Sequence, residues 1–119
     1  SSNSVRIKDG LSPLKITLEA EDIPVFYGAL ELLSNGFSST LAPSNRSFWN
    51  LLETTSDSCA LFELSLGNIT HGSEEHKNIM ELIVDPQTCG PLALACSTEL
   101  TKNLLSQGTW YRIGSVGLL

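Results

Sequence analysis

The chain is poor in positive charge. Seven Lys and Arg face thirteen Asp and Glu, which gives a formal net charge of −6. The basic residues are scattered and form no stripe, so nucleic acid is not an expected partner. No apolar run approaches the ~20 residues of a membrane helix, so no membrane partner is expected.

The opening Ser1-Ser2-Asn3-Ser4 has neither an initiator Met nor a signal pattern. This opening predicts that the sequence is a piece of a longer polypeptide. It also predicts that residues 1–12 are partly disordered.

The sequence has only three cysteines, and their spacing does not suggest disulfide pairs. Cys59, Cys89 and Cys96 are odd in number, widely spaced and without a Cys-x-x-Cys pair. A disulfide framework is therefore not expected, and a reducing compartment, the cytoplasm, is favoured. The apolar neighbours of Cys59 and Cys96 predict buried, reduced thiols.

Catalytic motifs are also missing. The sequence has no Gly-rich phosphate loop with a nearby Lys and no paired carboxylates with a base. His71 and His76 are five residues apart, with no second ligand pair at zinc-site spacing. We interpret them as a solvated pair, and we predict no catalytic residue and no metal ligand.

Alternating apolar residues mark the first strand. Leu14, Ile16 and Leu18 alternate with polar residues, which is typical of a half-buried strand. A helix capped by Asp22 and stopped by Asn35-Gly36 is predicted next. The segment Cys59–Leu66 fits either a strand or a helix, and a strand is favoured. The other predicted elements are a short helix from Asn45 to Glu53, a polar surface insertion over Gly67–Glu75, a helix from Ser73 to about Met80, a helix capped by Ser97 or Thr98 and ended by Gly108, and a strand over Trp110–Leu118. This order predicts an α+β fold (an α/β sandwich), with helices packed on one face of a mixed sheet.

The most informative stretch runs from Leu82 to Cys96. Two short apolar segments, Leu82–Val84 and Leu92–Cys96, are predicted as buried strands around a rigid loop. Pro86 should push Asp85 out of the helical region. The loop is the candidate site, either as a turn aimed at a substrate or partner domain or as a structural corner whose polar side chains satisfy backbone groups. Its candidate residues are Asp85, Gln87, Thr88, Cys89 and Gly90.

The residues of this loop resemble a known family. Asp-Pro-Gln-Thr-Cys-Gly-Pro-Leu, at 85–92, resembles the Asp-Pro-Gln-Thr-Ser-Gly-Gly-Leu segment in the C-terminal half of selenophosphate synthetase (selenide, water dikinase). Upstream, Tyr27–Leu32 and Asn35–Asn45 resemble the helix and loop that precede that segment. The closing Tyr111–Val116 is similar to the family's terminal strand. Cys89 and Pro91 depart from the family's Ser and second Gly.

The resemblance implies that residues 13–119 are a C-terminal domain. The parent enzyme would make selenophosphate, AMP and phosphate from ATP, selenide and water, using ATP and Mg²⁺. In that family the catalytic Cys or selenocysteine and Lys, and most of the Mg²⁺-binding aspartates, lie in the N-terminal half. This chain should therefore bind no cofactor itself and should pack against an N-terminal ATP-binding domain of the same polypeptide.

Other interpretations stay open beside this one. The synthetases dimerise mainly through their N-terminal halves, which leaves a homodimer of the full-length enzyme as a further expected partner. One alternative is the C-terminal domain of a related ATP-dependent enzyme, of the aminoimidazole ribonucleotide synthetase or hydrogenase maturation type. Another is a degenerate, non-catalytic interaction module.

Overall fold

A mixed sheet organises the molecule. The computed structural model describes residues 2–50, 61–85 and 92–119. Within them, β1 (Leu14–Glu19) lies at the centre of a three-stranded sheet, parallel to β2 (Phe62–Ser65) and antiparallel to β3 (Gly114–Leu118). Together with the helices this is an α+β fold, as the sequence predicts.

The alternation of β1 gives the sheet one apolar and one polar side. Side chains alternate between the two sides of a strand. Ile16 is in register with Phe62 on β2 and Val116 on β3. On the other side, Lys15 forms an ion pair with Glu63.

The helices are short except for one. Their bounds are α1 (Ser2–Lys8), α2 (Ala29–Ser34), α3 (Ala42–Asn45), α4 (Glu74–Val84) and α5 (Thr98–Ser106), with 3₁₀ turns at Ala20–Asp22 and Arg46–Phe48. In these described ranges, none of the helices is both long and apolar enough to cross a membrane. Helix α1 falls within the start that we expected to be partly disordered. The Asn3 side chain links it to β1 by two hydrogen bonds with the Leu14 backbone, of 2.8 and 2.9 Å.

Two predicted helix starts are wrong. Asp22 ends a 3₁₀ turn, and α2 begins only at Ala29, although it ends at Asn35 and Gly36 as predicted. Asn45 ends α3 and precedes the 3₁₀ turn Arg46–Phe48, and its side chain forms no cap hydrogen bond there. Residues 51–53 of the helix predicted to follow Asn45 lie outside the described residues.

The core lies between the sheet and α4. Leu64 of β2 packs with Ile79 and Met80 of α4, and Leu18 of β1 packs against this cluster. Helix α2 lies alongside α4. The predicted surface insertion over Gly67–Glu75 is wrong in one respect, because Ile69 is buried in the same core.

The strand predicted at Leu82–Val84 is wrong, because these residues form the last turn of α4. The Ser73 hydroxyl accepts the His76 N–H and starts the helix, as predicted, and the helix then runs past Met80. Its buried positions, His76, Ile79, Met80 and Val84, follow helical spacing.

The second strand predicted around the loop, at Leu92–Cys96, is also wrong. Residues 92–97 have no regular secondary structure, and both Leu92 and Leu94 are exposed. Cys96 is exposed as well, so its predicted burial is wrong, and its Sγ lies 3.3 Å from Thr101 Oγ1. Cys59 lies outside the described residues.

The end of the chain follows the predicted order. The Ser97 hydroxyl accepts the Leu100 N–H and caps α5, as predicted. The terminal strand is shorter than expected and covers Gly114–Leu118. Its glycines differ in surroundings: a Cβ at Gly114 would collide with the Thr17 carbonyl oxygen, whereas a Cβ at Gly117 would meet nothing within 4 Å.

This difference predicts unequal effects of two alanine substitutions. Gly114→Ala should lower the free energy of unfolding by about 1–3 kcal/mol, because backbone must shift to admit the methyl group. Gly117→Ala is the matched control on the same strand and should be near neutral. Urea denaturation followed by circular dichroism measures both. Equal midpoints for the two variants would contradict the close approach of β3 to β1.

Candidate functional site

Asp85 joins the two main stretches of the family resemblance. It follows α4 with φ −67° and ψ 120°, which confirms the extended conformation expected before Pro86. Its backbone N–H donates to the Glu81 carbonyl at 3.0 Å. Its carboxylate Oδ1 accepts the backbone N–H of Ser39 at 3.3 Å. The first residue of the motif loop is therefore tied to the loop that follows α2.

Further bonds run along the same contact. Asn45 Nδ2 donates to the Val84 carbonyl at 2.9 Å, and Trp49 Nε1 donates to the Met80 carbonyl at 3.1 Å. The last carbonyls of a helix have no partner within it, so Asn45 satisfies one of these groups in α4. We call this set of contacts, between residues 39–49 and residues 80–85, the Asp85 clamp.

An ion pair reinforces the clamp. Arg46 Nε lies 2.9 Å from Glu81 Oε1, and Arg46 Nη2 lies 3.3 Å from Glu81 Oε2. The pair is bidentate and only partly exposed, a geometry that is stronger than a single surface contact. The guanidinium also lies over the Trp49 ring, 5.7 Å from its centroid. Arg46 thus joins Glu81 to Trp49.

The clamp supports the structural interpretation for Asp85, whose carboxylate satisfies a backbone amide. The amide is 46 residues distant instead of within the same turn. Gln87, Thr88, Cys89 and Gly90 lie outside the described residues, so a ligand role for the rest of the loop stays a prediction.

The two histidines are not a solvated pair, so that prediction is wrong. His76 is only 7% exposed, and its Nδ1 accepts the Gly72 N–H at 3.0 Å. This bond requires an unprotonated Nδ1, which leaves the ring proton on Nε2. The exposed His71 ring lies 4.9 Å away, centroid to centroid. Burial follows from the Ser73 cap, which places His76 on the same helix face as Ile79 and Met80.

A cleft beside the clamp was missed from the sequence. It has a volume of about 350 Å³, and it is lined by Trp49, His71, His76, Lys77, Met80 and Glu81. Its walls come from segments distant in sequence, so periodicity alone gives no signal for it. In the part of the chain that the structure describes, no three His, Cys, Asp or Glu side chains cluster as a metal site would need.

Two adjacent aromatic side chains stand out on the surface. Phe26 is 90% exposed and Tyr27 is fully exposed, immediately before α2. Tyr27 is also the first residue of the upstream stretch that carries the resemblance. Large apolar side chains next to each other in water are typical of interaction surfaces.

Comparisons with known proteins return no relative. No family model matches the chain, and no curated protein or solved structure matches it significantly.

Proposed function

We propose that the chain is the C-terminal domain of a selenophosphate synthetase-like enzyme of the cytoplasm. The full-length enzyme would convert ATP, selenide and water to selenophosphate, AMP and phosphate with Mg²⁺. The observation that carries the proposal is the hydrogen bond from Ser39 to Asp85. It brings together two sequence-distant stretches, each of which resembles a segment of that family's C-terminal domain.

The domain's role would be accessory. Phosphoryl transfer from ATP needs cations on the phosphates and a positioned nucleophile. In the described residues, Lys15 and Arg46 are held in ion pairs with Glu63 and Glu81. By the resemblance, ATP, Mg²⁺ and the catalytic groups would belong to the N-terminal domain, and this chain would complete the enzyme by packing against it.

Phe26 and Tyr27 are the surface that we assign to this packing. Aromatic side chains are enriched at the centres of interfaces, where they bury a large area. Phe26 and Tyr27 lie next to α2, and neither side chain packs in the described core. Covering them with the ATP-binding domain would remove both from water.

A domain exchange tests the proposal. Residues 13–119 replace the C-terminal domain of an active selenophosphate synthetase, and selenide-dependent AMP formation is measured. We expect the chimera to form AMP and the isolated chain to form none and to show no heat of Mg-ATP binding. A chimera with Phe26→Ser and Tyr27→Ser should lose about tenfold or more of the activity, as for an interface hot spot.

Three results would contradict the assignment. They are micromolar ATP binding by the isolated chain, AMP formed by the chain alone, and a folded chimera without selenide-dependent activity. A second chimera, with the ATP-binding half of an aminoimidazole ribonucleotide synthetase, tests the nearest alternative. If only this second chimera is active, the chain is instead the C-terminal domain of an enzyme of the aminoimidazole ribonucleotide synthetase class.

The departures at Cys89 and Pro91 favour a second candidate, a non-catalytic interaction module derived from the same fold. The chimera distinguishes this too. If Cys89→Ser with Pro91→Gly is needed to restore activity, then the loop has lost its enzymatic role in this chain.

A further inference from the structure

The cleft beside the clamp has walls that are held in place by hydrogen bonds. Trp49 Nε1 donates to the Met80 carbonyl, and the Arg46 guanidinium lies over the Trp49 ring, so the aromatic wall is fixed. At the start of α4 the Gly72 N–H donates to His76 Nδ1, which fixes the turn before the helix. A site that is already ordered loses little conformational freedom when a ligand binds.

The lining of this cleft combines carbon surface with a positive charge. Trp49 and Met80 supply an aromatic ring and a thioether chain, and the exposed imidazole of His71 adds a second ring. The exposed Lys77 lines the same cleft. Ligand sites typically have mostly apolar walls and a few polar groups that orient the ligand, and a volume of about 350 Å³ is at the small end of their range. The lining therefore suits a small molecule with a ring.

Charge decides the sign of that molecule. Glu81 contributes a carboxylate to the lining, but both of its oxygens already accept hydrogen bonds from Arg46. Glu74 lies one helical turn before Lys77, and in the ranges that the structure describes Lys77 forms no ion pair with it or with another acid. The cleft therefore has an uncompensated cation, which attracts an anion and repels a second cation.

We propose that this cleft binds a small aromatic carboxylate, with its ring against Trp49 and its carboxylate next to the Lys77 ammonium. The ammonium–carboxylate contact is a charge-assisted hydrogen bond, which is stronger than a neutral one. The ring removes the carbon surface of the walls from water. ATP does not meet the same conditions, because its triphosphate would bring several negative charges to a single lysine on a chain of net charge −6.

Titration of the isotope-labelled chain with benzoate, followed by NMR, tests the site. The Lys77 amide and the Trp49 indole N–H should shift with a dissociation constant on the order of 1 mM or below, as expected for a ligand with so few atoms. The indole N–H of Trp110, which is outside the lining, is the internal control and should stay unchanged.

Three further compounds separate the contribution of charge from that of the ring. Benzamide is the neutral counterpart of benzoate and should bind about tenfold more weakly, because it lacks the charged hydrogen bond. Benzylammonium places a second cation beside Lys77 and should not bind. Acetate keeps the carboxylate without the ring, and it should not shift the Trp49 indole N–H.

Substitution of Lys77 tests the assigned cation. Lys77→Gln keeps an exposed polar side chain, so it should fold; it should raise the benzoate dissociation constant about tenfold and leave benzamide binding unchanged. Lys102→Gln is the matched control, because it removes the same charge from an exposed lysine of α5 outside the lining. It should bind both compounds as the wild type does. Lys77→Arg keeps the charge and should keep most of the affinity for benzoate.

Two kinds of result would overturn the proposal. The first is the absence of shifts at about 10 mM benzoate, tenfold above the expected dissociation constant. The second is equal affinity for benzoate and benzamide, or equal benzoate affinity of the wild type and Lys77→Gln. The site is independent of the proposed function, since it needs no ATP-binding domain. An active chimera whose isolated domain binds no benzoate would reject the site alone, and benzoate binding beside an inactive, folded chimera would reject the enzyme assignment alone.

Discussion

Truncation of Ile79 to alanine is expected to lower the free energy of unfolding by about 2–5 kcal/mol. Ile79 is 4% exposed and lies where α4 packs on Leu64 of the sheet. Removing three of its side-chain carbons leaves a cavity that the strand and helix fill only partly. Because a small domain has little stability in reserve, this variant should be partly unfolded at ambient temperature.

Leu100→Ala is the control for that experiment. Leu100 lies on α5 and is 43% exposed, so its truncation should change the free energy of unfolding by about 0.5 kcal/mol or less. Urea unfolding monitored by tryptophan fluorescence measures both variants. If the two substitutions had similar effects, the core would not lie between α4 and the sheet.

Asp85→Ala is expected to lower the free energy of unfolding by about 1–3 kcal/mol. The substitution removes the acceptor for the Ser39 N–H in a partly buried place. Ser39 then has a backbone donor without its present partner, and the loop after α2 loses its tie to α4. Thermal denaturation of the folded chain measures the loss.

Asp85→Asn separates the hydrogen bond from the charge. The amide oxygen of asparagine can still accept the Ser39 N–H, so this variant should recover most of the stability that alanine loses. An alanine variant as stable as the wild type would show that the clamp does not depend on Asp85. An asparagine variant as unstable as alanine would assign the effect to the negative charge.

Local patterns predicted the elements whose stability is local. The alternation in β1 and the Ser97 cap of α5 are both present in the structure. The Pro86 effect on Asp85 was also correct, because it depends only on neighbouring atoms. In these places the residue that sets the conformation is adjacent to the residue that adopts it.

The error at Leu82–Val84 has a physical cause. A short run of β-branched and apolar residues fits a strand as well as the end of a buried helix. The helix continues because the Ser73 cap starts it and because its buried face keeps helical spacing through Val84. The Asp85 clamp had no local signal at all, since its bonds join residues 31 to 46 positions apart.

The position of β1 in the sheet bears on how the chain folds. Both neighbours of this early strand are distant in sequence: Ile16 pairs with Phe62, and Leu14 pairs with Leu118. Each pairing closes a long loop and loses chain entropy before the contacts compensate for it. Chains dominated by such non-local pairs refold slowly, on the order of milliseconds to seconds. On the ribosome, the edge of β1 that pairs with β3 therefore stays without its strand partner until almost all of this sequence has been synthesised.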